Sequence, residues 1–259
     1  MSARLRGAWR VAGASVPGAG HLRSGLPCQD DHWWKLEADG VLVAAVADGA
    51  GSASHAEEGA RAAVRAAVDQ AATIWRTLAP RQREEWDHLL QGAFIVARLA
   101  VQSAAKALGR PIHDLATTLL LAVATRDQTA AAQIGDGAVV ARLAGEGLTA
   151  LTRPPRTEHL NETTFLTSDD ALAEMQFALC DEPARGLALL SDGLQMLALK
   201  MPQGEPHPPF FAPLLRFTAA ASEPERAQEQ LRAFLQSPGV AQRTDDDLTL
   251  LLAVRHPAR

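Results

Sequence analysis

Tyrosine is absent from the 259 residues, and cysteine occurs only twice, as Cys28 and Cys180. The missing tyrosine excludes nothing by itself. Two cysteines cannot build a disulfide framework and show no zinc-site spacing, so reduced thiols are expected. Long apolar runs are lacking too. None approaches the ~20 residues that a membrane-spanning helix requires, and no apolar segment of signal type follows Arg4, Arg6 and Arg10. The expected location is therefore cytoplasmic, with no membrane partner. Nor is there an excess of basic residues, since the formal net charge is −5. Phosphate backbones require a basic surface, so no nucleic-acid partner is expected. Internal repeats, coiled-coil heptads and long linkers are also missing, and residues 1–259 read as one domain.

What is present is a globular composition, 47% apolar and 21% charged, in a chain long enough to bury a sizeable core. Its most informative stretch is Val41–His55, VLVAAVADGAGSASH. Seven apolar residues, Val41 to Ala47, stop at Asp48-Gly49. A short, partly β-branched run bounded by glycine reads as a buried strand. The residues after it have almost no side chain, which lets an acid and the backbone approach a ligand closely. Taken alone, Asp-Gly between apolar runs also reads as a hairpin turn. The same grammar recurs, however. Thr129–Ile134 leads into Gly135-Asp136-Gly137, Gly186–Leu190 leads into Ser191-Asp192-Gly193, and Asp245-Asp246-Asp247 opens Leu248–Val254. If those tips converge, like charges raise one another's pKa unless cations intervene. Clustered carboxylates and carbonyls suit magnesium, manganese or calcium rather than zinc. Separate surface turns remain the alternative at this stage.

In chain order, Ala8–Val16, His32–Leu36 and Val41–Ala47 read as an opening β-meander, with Gly18–Pro27 as a loop. Helical spacing follows from Ala56 through Leu78, and Pro80 is expected to begin a second amphipathic helix ending near Gly109. The pair is expected to lie on a sheet. Ala116–Ala124, Thr129–Ile134, Ala138–Leu143 and Leu148–Leu151 then read as a second meander. A flap-like polar insert occupies about 154–175, with a strand at Gln176–Leu179. Leu187–Leu190 is a buried strand, Leu194–Lys200 a helical piece, and Phe210–Ala221 and Glu223–Gln236 are helices. Ser222 is expected to cap the last of these, with Glu225 completing a capping box. The fold class is thus α+β.

With Gln29-Asp30, Asp48-Gly49-Ala50-Gly51, Thr117-Thr118, Gly135-Asp136, Ser191-Asp192-Gly193 and Asp246-Asp247-Leu248-Thr249 in this order, the chain resembles the metal-dependent serine/threonine protein phosphatases of the PPM (type 2C) family. The resemblance runs over nearly the whole chain. It implies a four-layer α-β-β-α sandwich, two antiparallel sheets flanked by antiparallel helix pairs, with two divalent metal ions, manganese or magnesium, at one end. Residue by residue, it implies that Asp48 bridges both metals, the Gly49 carbonyl binds one, and Asp192 and Asp246 hold the other. Asp30 orders a water from outside the ligand set, and Asp136 matches the acid of a third, weaker position. The implied chemistry is phosphomonoester hydrolysis, in which a metal-bridging hydroxide attacks phosphorus with no phosphoenzyme.

The chain departs from the family pattern in three places. Gln29 stands where a glutamate is usual, and Ala50 where many members carry a histidine that protonates the leaving alkoxide. His55 or His21 could supply that proton. A phosphate-gripping arginine is missing at its usual spacing, and Arg23 is the best substitute. The stretch Glu158–Asp170 falls at the family's variable flap. Three readings compete: a monomeric phosphatase acting on phosphoserine or phosphothreonine of protein substrates made by a kinase, a degenerate fold regulating by binding metal or phosphoprotein, and a small-molecule phosphomonoesterase.

Overall fold

The computed structural model describes residues 9–145, 147–155 and 163–256; Arg4, Arg6 and the 156–162 part of the polar insert lie outside them. The described chain begins with β1 (Trp9–Val16), α1 (Ala19–Ser24), β2 (Asp31–Leu36), β3 (Leu42–Ala47) and the long helices α2 (Ala56–Leu78) and α3 (Arg83–Leu108). Next come β4 (Leu119–Ala124), β5 (Thr129–Ile134), β6 (Ala138–Arg142), β7 (Leu148–Thr152), β8 (Gln176–Cys180) and β9 (Gly186–Leu190). The remainder holds α4 (Gln195–Ala198), β10 (Leu199–Lys200), β11 (Glu205–Pro206), α5 (Pro208–Ala220), α6 (Pro224–Leu235), α7 (Pro238–Ala241) and β12 (Leu248–Arg255).

Two five-stranded antiparallel sheets form the centre, in the orders β1-β12-β9-β6-β7 and β2-β3-β4-β5-β8. Strand alternation sorts the core into layers. On β3, Val43, Ala45 and Ala47 face α2 and α3, joining Trp86, Leu89 and Phe94. Its other side chains, Leu42, Ala44 and Val46, face the second sheet and meet Leu187, Leu189 and Leu251. Beyond that sheet, Ala188, Leu190, Leu250 and Leu252 pack under Phe211, Leu215 and Leu231 of α5 and α6. This is the four-layer sandwich expected. Each fully buried large side chain is worth roughly 1.5–3 kcal/mol over its exposed state. The alanines of α2, from Ala60 to Ala72, let the helix sit close to the sheet.

Several expectations are corrected. Neither run of strands is a simple meander. β1 pairs with β12 in the other sheet, and the chain changes sheets between β5 and β6, at Gly135 with φ 108°. Strands buried on both faces carry no alternation to say which sheet they join. Part of the loop expected at Gly18–Pro27 is helix α1, whose six residues are too few to show a period. The second long helix starts at Arg83 rather than Pro80, because Ala79 reverses the chain in the left-handed region and Glu85 accepts the Gln82 N–H at 3.0 Å. Ser222 does not cap α6, since Pro224 at the first helical position moves the cap to Glu223. Helix α4 stops at Ala198, and the next two residues pair with Glu205–Pro206.

Candidate active site

Antiparallel register gathers the acid-bearing tips at one end of the sandwich. Ala47, before Asp48, pairs with Asp31, after Asp30. Leu119 pairs with Ile134, close to Asp136. In the other sheet, Leu190 lies opposite both Leu250 and Ala138, which brings Asp192, Asp246 and Asp136 to the same edge. Asp48, Asp136 and Asp192 each place a carboxylate oxygen within 4.8 Å of the others.

The backbone at Asp48 is held from β4's entry. Thr118 Oγ1 accepts the Asp48 N–H at 3.0 Å, and the Asp48 carbonyl accepts the Thr117 hydroxyl at 2.9 Å and the Thr118 N–H at 2.8 Å. Gly49 bridges to Thr117. A Cβ on Gly49 would lie 2.7 Å from the Gln29 carbonyl oxygen, so no side chain fits where the two turns touch. Gln195 Nε2 donates to the Asp136 carbonyl at 2.7 Å, and Thr163 Oγ1 donates to Asp136 Oδ2 at 2.8 Å. The described part of the polar insert thus reaches the cluster. Its base is tied down, with the Leu166 N–H donating to Thr117 O at 2.8 Å and Arg98 donating to the carbonyls of Leu166 and Ser168. Phe165 packs on Ala50, Ala53, Ala56 and Ala116, an apolar wall beside the acids.

Electrostatically the cluster is unrelieved. Burial pushes the Asp48 carboxyl well up, and Asp30, Asp192 and Asp246 add repulsion. Burial pushes Asp30 up to about 8. The hydroxyls of Ser191 and Thr249 temper that rise, although neither stands in hydrogen-bonding geometry to it. Asp192 is raised to about 6, by burial first and by the charges of Asp136 and Asp246. The Asp246 carboxyl is raised as well, by desolvation on the side that faces the cluster, although the residue as a whole is exposed. Among the described residues, both oxygens of Asp30, Asp192 Oδ1 and Gln29 Oε1 are buried without a hydrogen-bond partner. Stranded oxygens and mutually raised carboxyls mark a site that a cation would relieve, and the all-oxygen donor set suits a hard divalent cation.

The family description of protein phosphatase 2C matches residues 17–236. The chain belongs to the protein phosphatase 2C family. A curated relative of this phosphatase, serine/threonine-protein phosphatase 3 of Escherichia coli (strain K12), is 36% identical over 252 residues, covering 95% of this chain and 98% of the relative. The fold is shared with a bacterial serine phosphatase at TM-score 0.64 and 13% identity, over 96% of this chain and 98% of that one. It is shared too with a serine/threonine phosphatase from Staphylococcus aureus, at TM-score 0.60 and 13% identity over 94% of each chain.

Other residues singled out from the phosphatase sequence fall at varied distances from this centre. Asp246 is exposed at its edge, accepting the Asp247 N–H at 2.9 Å. Gln29 is buried, its Nε2 3.5 Å from the Ala53 carbonyl. His55 begins α2 with no side-chain cap bond, its N–H given to Asp114 O. Arg23 is 66% exposed and pairs with Asp245 at 3.0 Å. One residue escaped assignment. Asp247, 2% exposed, accepts from Gly18 N at 2.7 Å, Gln29 N at 2.6 Å and His21 Nδ1 at 2.8 Å. The only sequence signal was a run of three aspartates where the motif needs fewer.

Proposed function

We propose that this chain hydrolyses phosphoserine and phosphothreonine in proteins at the acid cluster, with two divalent cations, manganese or magnesium, held by Asp48, the Gly49 carbonyl, Asp192, Asp246 and Asp136. The observation that carries this reading is the set of buried carboxylate oxygens, on Asp30 and Asp192, that no protein donor meets. When bound, such a cation pair supplies a water of lowered pKa and positive charge for the phosphoryl oxygens.

The protein's own groups do the rest. Thr117 and Thr118 fix the Asp48 backbone so that its carboxylate does not swing. Asp30, with both oxygens free, accepts hydrogen bonds from the attacking water and orients it for in-line displacement. Gln29 offers its free Oε1 from the same turn. The wall of Ala50, Ala53, Ala116 and Phe165 keeps bulk water from one side. No cysteine nucleophile is required, and burial pushes the Cys28 thiol well above its usual range.

All the acids come from one chain, which supports a monomeric enzyme. Two unpaired cysteines support a reducing cytoplasm. The substrate chemistry makes a serine/threonine kinase the source of its phosphoproteins. The test is turnover of p-nitrophenyl phosphate and of a phosphoserine peptide, with and without manganese, beside Asp192→Asn. Manganese-dependent turnover lost in Asp192→Asn is expected. A purified protein inert toward both esters would sink the reading.

A further inference from the structure

Hydrolysis of a serine or threonine phosphate expels an alkoxide, a poor leaving group that needs a proton as it departs. Ala50, beside Asp48-Gly49, has none to give. His55 makes defined contacts only through its backbone, its N–H given to Asp114 O and its carbonyl accepting the Glu58 and Gly59 N–H groups, and His32 is half-buried, bonded through Nδ1 to Ser15 Oγ at 2.8 Å. His21 is arranged differently. Its Nδ1 lies 2.8 Å from Asp247 Oδ1, and the ring is 17% exposed while Asp247 is 2% exposed. Nε2 makes no hydrogen bond among the described residues.

Asp247 places this ring at the rim of the acid cluster. Its Oδ2 takes the N–H of Gln29, the residue before Asp30, and its N–H is given to Asp246 Oδ1. The turn that carries His21 is seated equally firmly. Gly18 donates to Asp247 Oδ1, Gly20 donates to Asp245 O at 2.9 Å, and a Cβ on Gly18 would stand 2.1 Å from the Asp246 carbonyl oxygen.

The Asp247 carboxylate can only accept, and donors occupy both its oxygens. It therefore fixes His21 with the proton on Nδ1, and a second proton on the imidazolium sits at Nε2. A buried acid orienting one ring nitrogen so that the other can exchange a proton is the arrangement general acid–base catalysis needs.

We propose that His21, oriented by Asp247, is the general acid that protonates the departing serine or threonine oxygen. The reading rests on the phosphatase function above. In the step, the water oxygen bonds to phosphorus and the phosphorus–oxygen bond to the side chain breaks. The electron pair goes to the serine or threonine oxygen, which takes the proton from Nε2. The attacking water releases one proton, and the neutral imidazole regains one from solvent, so phosphate and a free hydroxyl leave. His21 is the catalytic residue and Asp247 a positioning residue.

The experiment compares two esters that differ in leaving group. p-Nitrophenolate departs without a proton, whereas the serine oxygen does not. His21→Gln keeps a donor for Asp247 but cannot transfer a proton. It is expected to lose roughly 10²-fold in kcat on a phosphoserine peptide while staying within about twofold on p-nitrophenyl phosphate. Manganese affinity by calorimetry and the melting temperature are expected to match the unaltered chain. Asp247→Asn is expected to show the same skew toward loss on the phosphopeptide. Equal losses on both esters, or no loss on the peptide, overturn the proposal in favour of a packing role for His21. Independently of any variant, nitrogen NMR of the metal-free protein is expected to show a proton on His21 Nδ1, and a bare Nδ1 overturns it too. Absence of manganese-dependent turnover by the unaltered chain on either ester is a different failure, which ends the phosphatase reading and this proposal together.

Discussion

Asp30 and Asp247 are both buried, at 6% and 2% exposure, and stand on either side of the Gln29 peptide, yet the fold treats them in opposite ways. Asp247 receives three donors, two backbone N–H groups and an imidazole nitrogen. Asp30 receives none. A buried carboxylate left unpaired costs several kcal/mol or takes up a proton. Asp247 avoids that cost with protein donors, and Asp30 and Asp192 meet it only when something outside the chain arrives. A saturated acid is a clamp, and a starved one is a binding site. The contrast distinguishes them without reference to any relative.

The sharpest way to break the comparison is to neutralise one acid of each kind. Asp192→Asn is expected to lower manganese-dependent kcat by about 10³-fold or more, since the cations' charge is worth several kcal/mol at the transition state. Its metal-free melting temperature is expected to rise, because one member of a repelling set is gone. Asp247→Ala should do the reverse to stability. Three donors lose their acceptor, and the loss expected is about 3–5 kcal/mol in urea unfolding, with or without manganese. If Asp247→Ala were silent in metal-free protein and Asp192→Asn destabilising there, the division into clamp and binding site would be wrong.

The strand tips were legible because each apolar run borders a short turn of glycine, serine or aspartate, and the helices because α2 and α3 keep their period for 23 and 26 residues. The partition of strands between sheets was not. Leu119–Ala124 and Leu42–Ala47 are buried along their whole length, so nothing in LLLAVA or LVAAVA says which neighbour lies on which side. Nor could Asp245, Asp246 and Asp247 be ranked from the residues alone, and only the resemblance singled out Asp246. One is exposed and paired with Arg23, one lies exposed at the cluster's edge, and one is sealed inside. Only the register of β12, with Leu248 opposite Val16, assigns those positions. Helix α1 was invisible because hydrogen bonds to Asp245 and Asp247, rather than an apolar stripe, hold it, and none of its own residues is buried.

A gentler probe uses pH. Asp30 and Asp192 are raised to about 8 and about 6, and Asp48 is raised well above its usual range. In metal-free protein the folded state therefore holds more protons than the unfolded chain above the usual carboxylate range near 4, so stability falls as pH rises. Melting temperatures in chelator are expected to drop steadily from pH 5 to 8, and saturating manganese is expected to remove most of that slope. A flat profile in chelator would mean that the carboxylates find relief within the protein.

The smallest effect is expected at Arg23. Its guanidinium is 66% exposed and its partner Asp245 is 76% exposed. An ion pair in that setting contributes about 0–1 kcal/mol and is screened by salt. Asp245 also anchors the turn through its carbonyl, which accepts Gly20 N–H, and that bond survives loss of the arginine side chain. Arg23→Ala is thus expected to shift stability by under about 0.5 kcal/mol and to leave KM for p-nitrophenyl phosphate within about twofold. A severalfold rise in KM with kcat unchanged would instead place Arg23 on the substrate phosphate. The exposed rim would then share in substrate binding, and the division between clamp and starved acids would cover only part of the site.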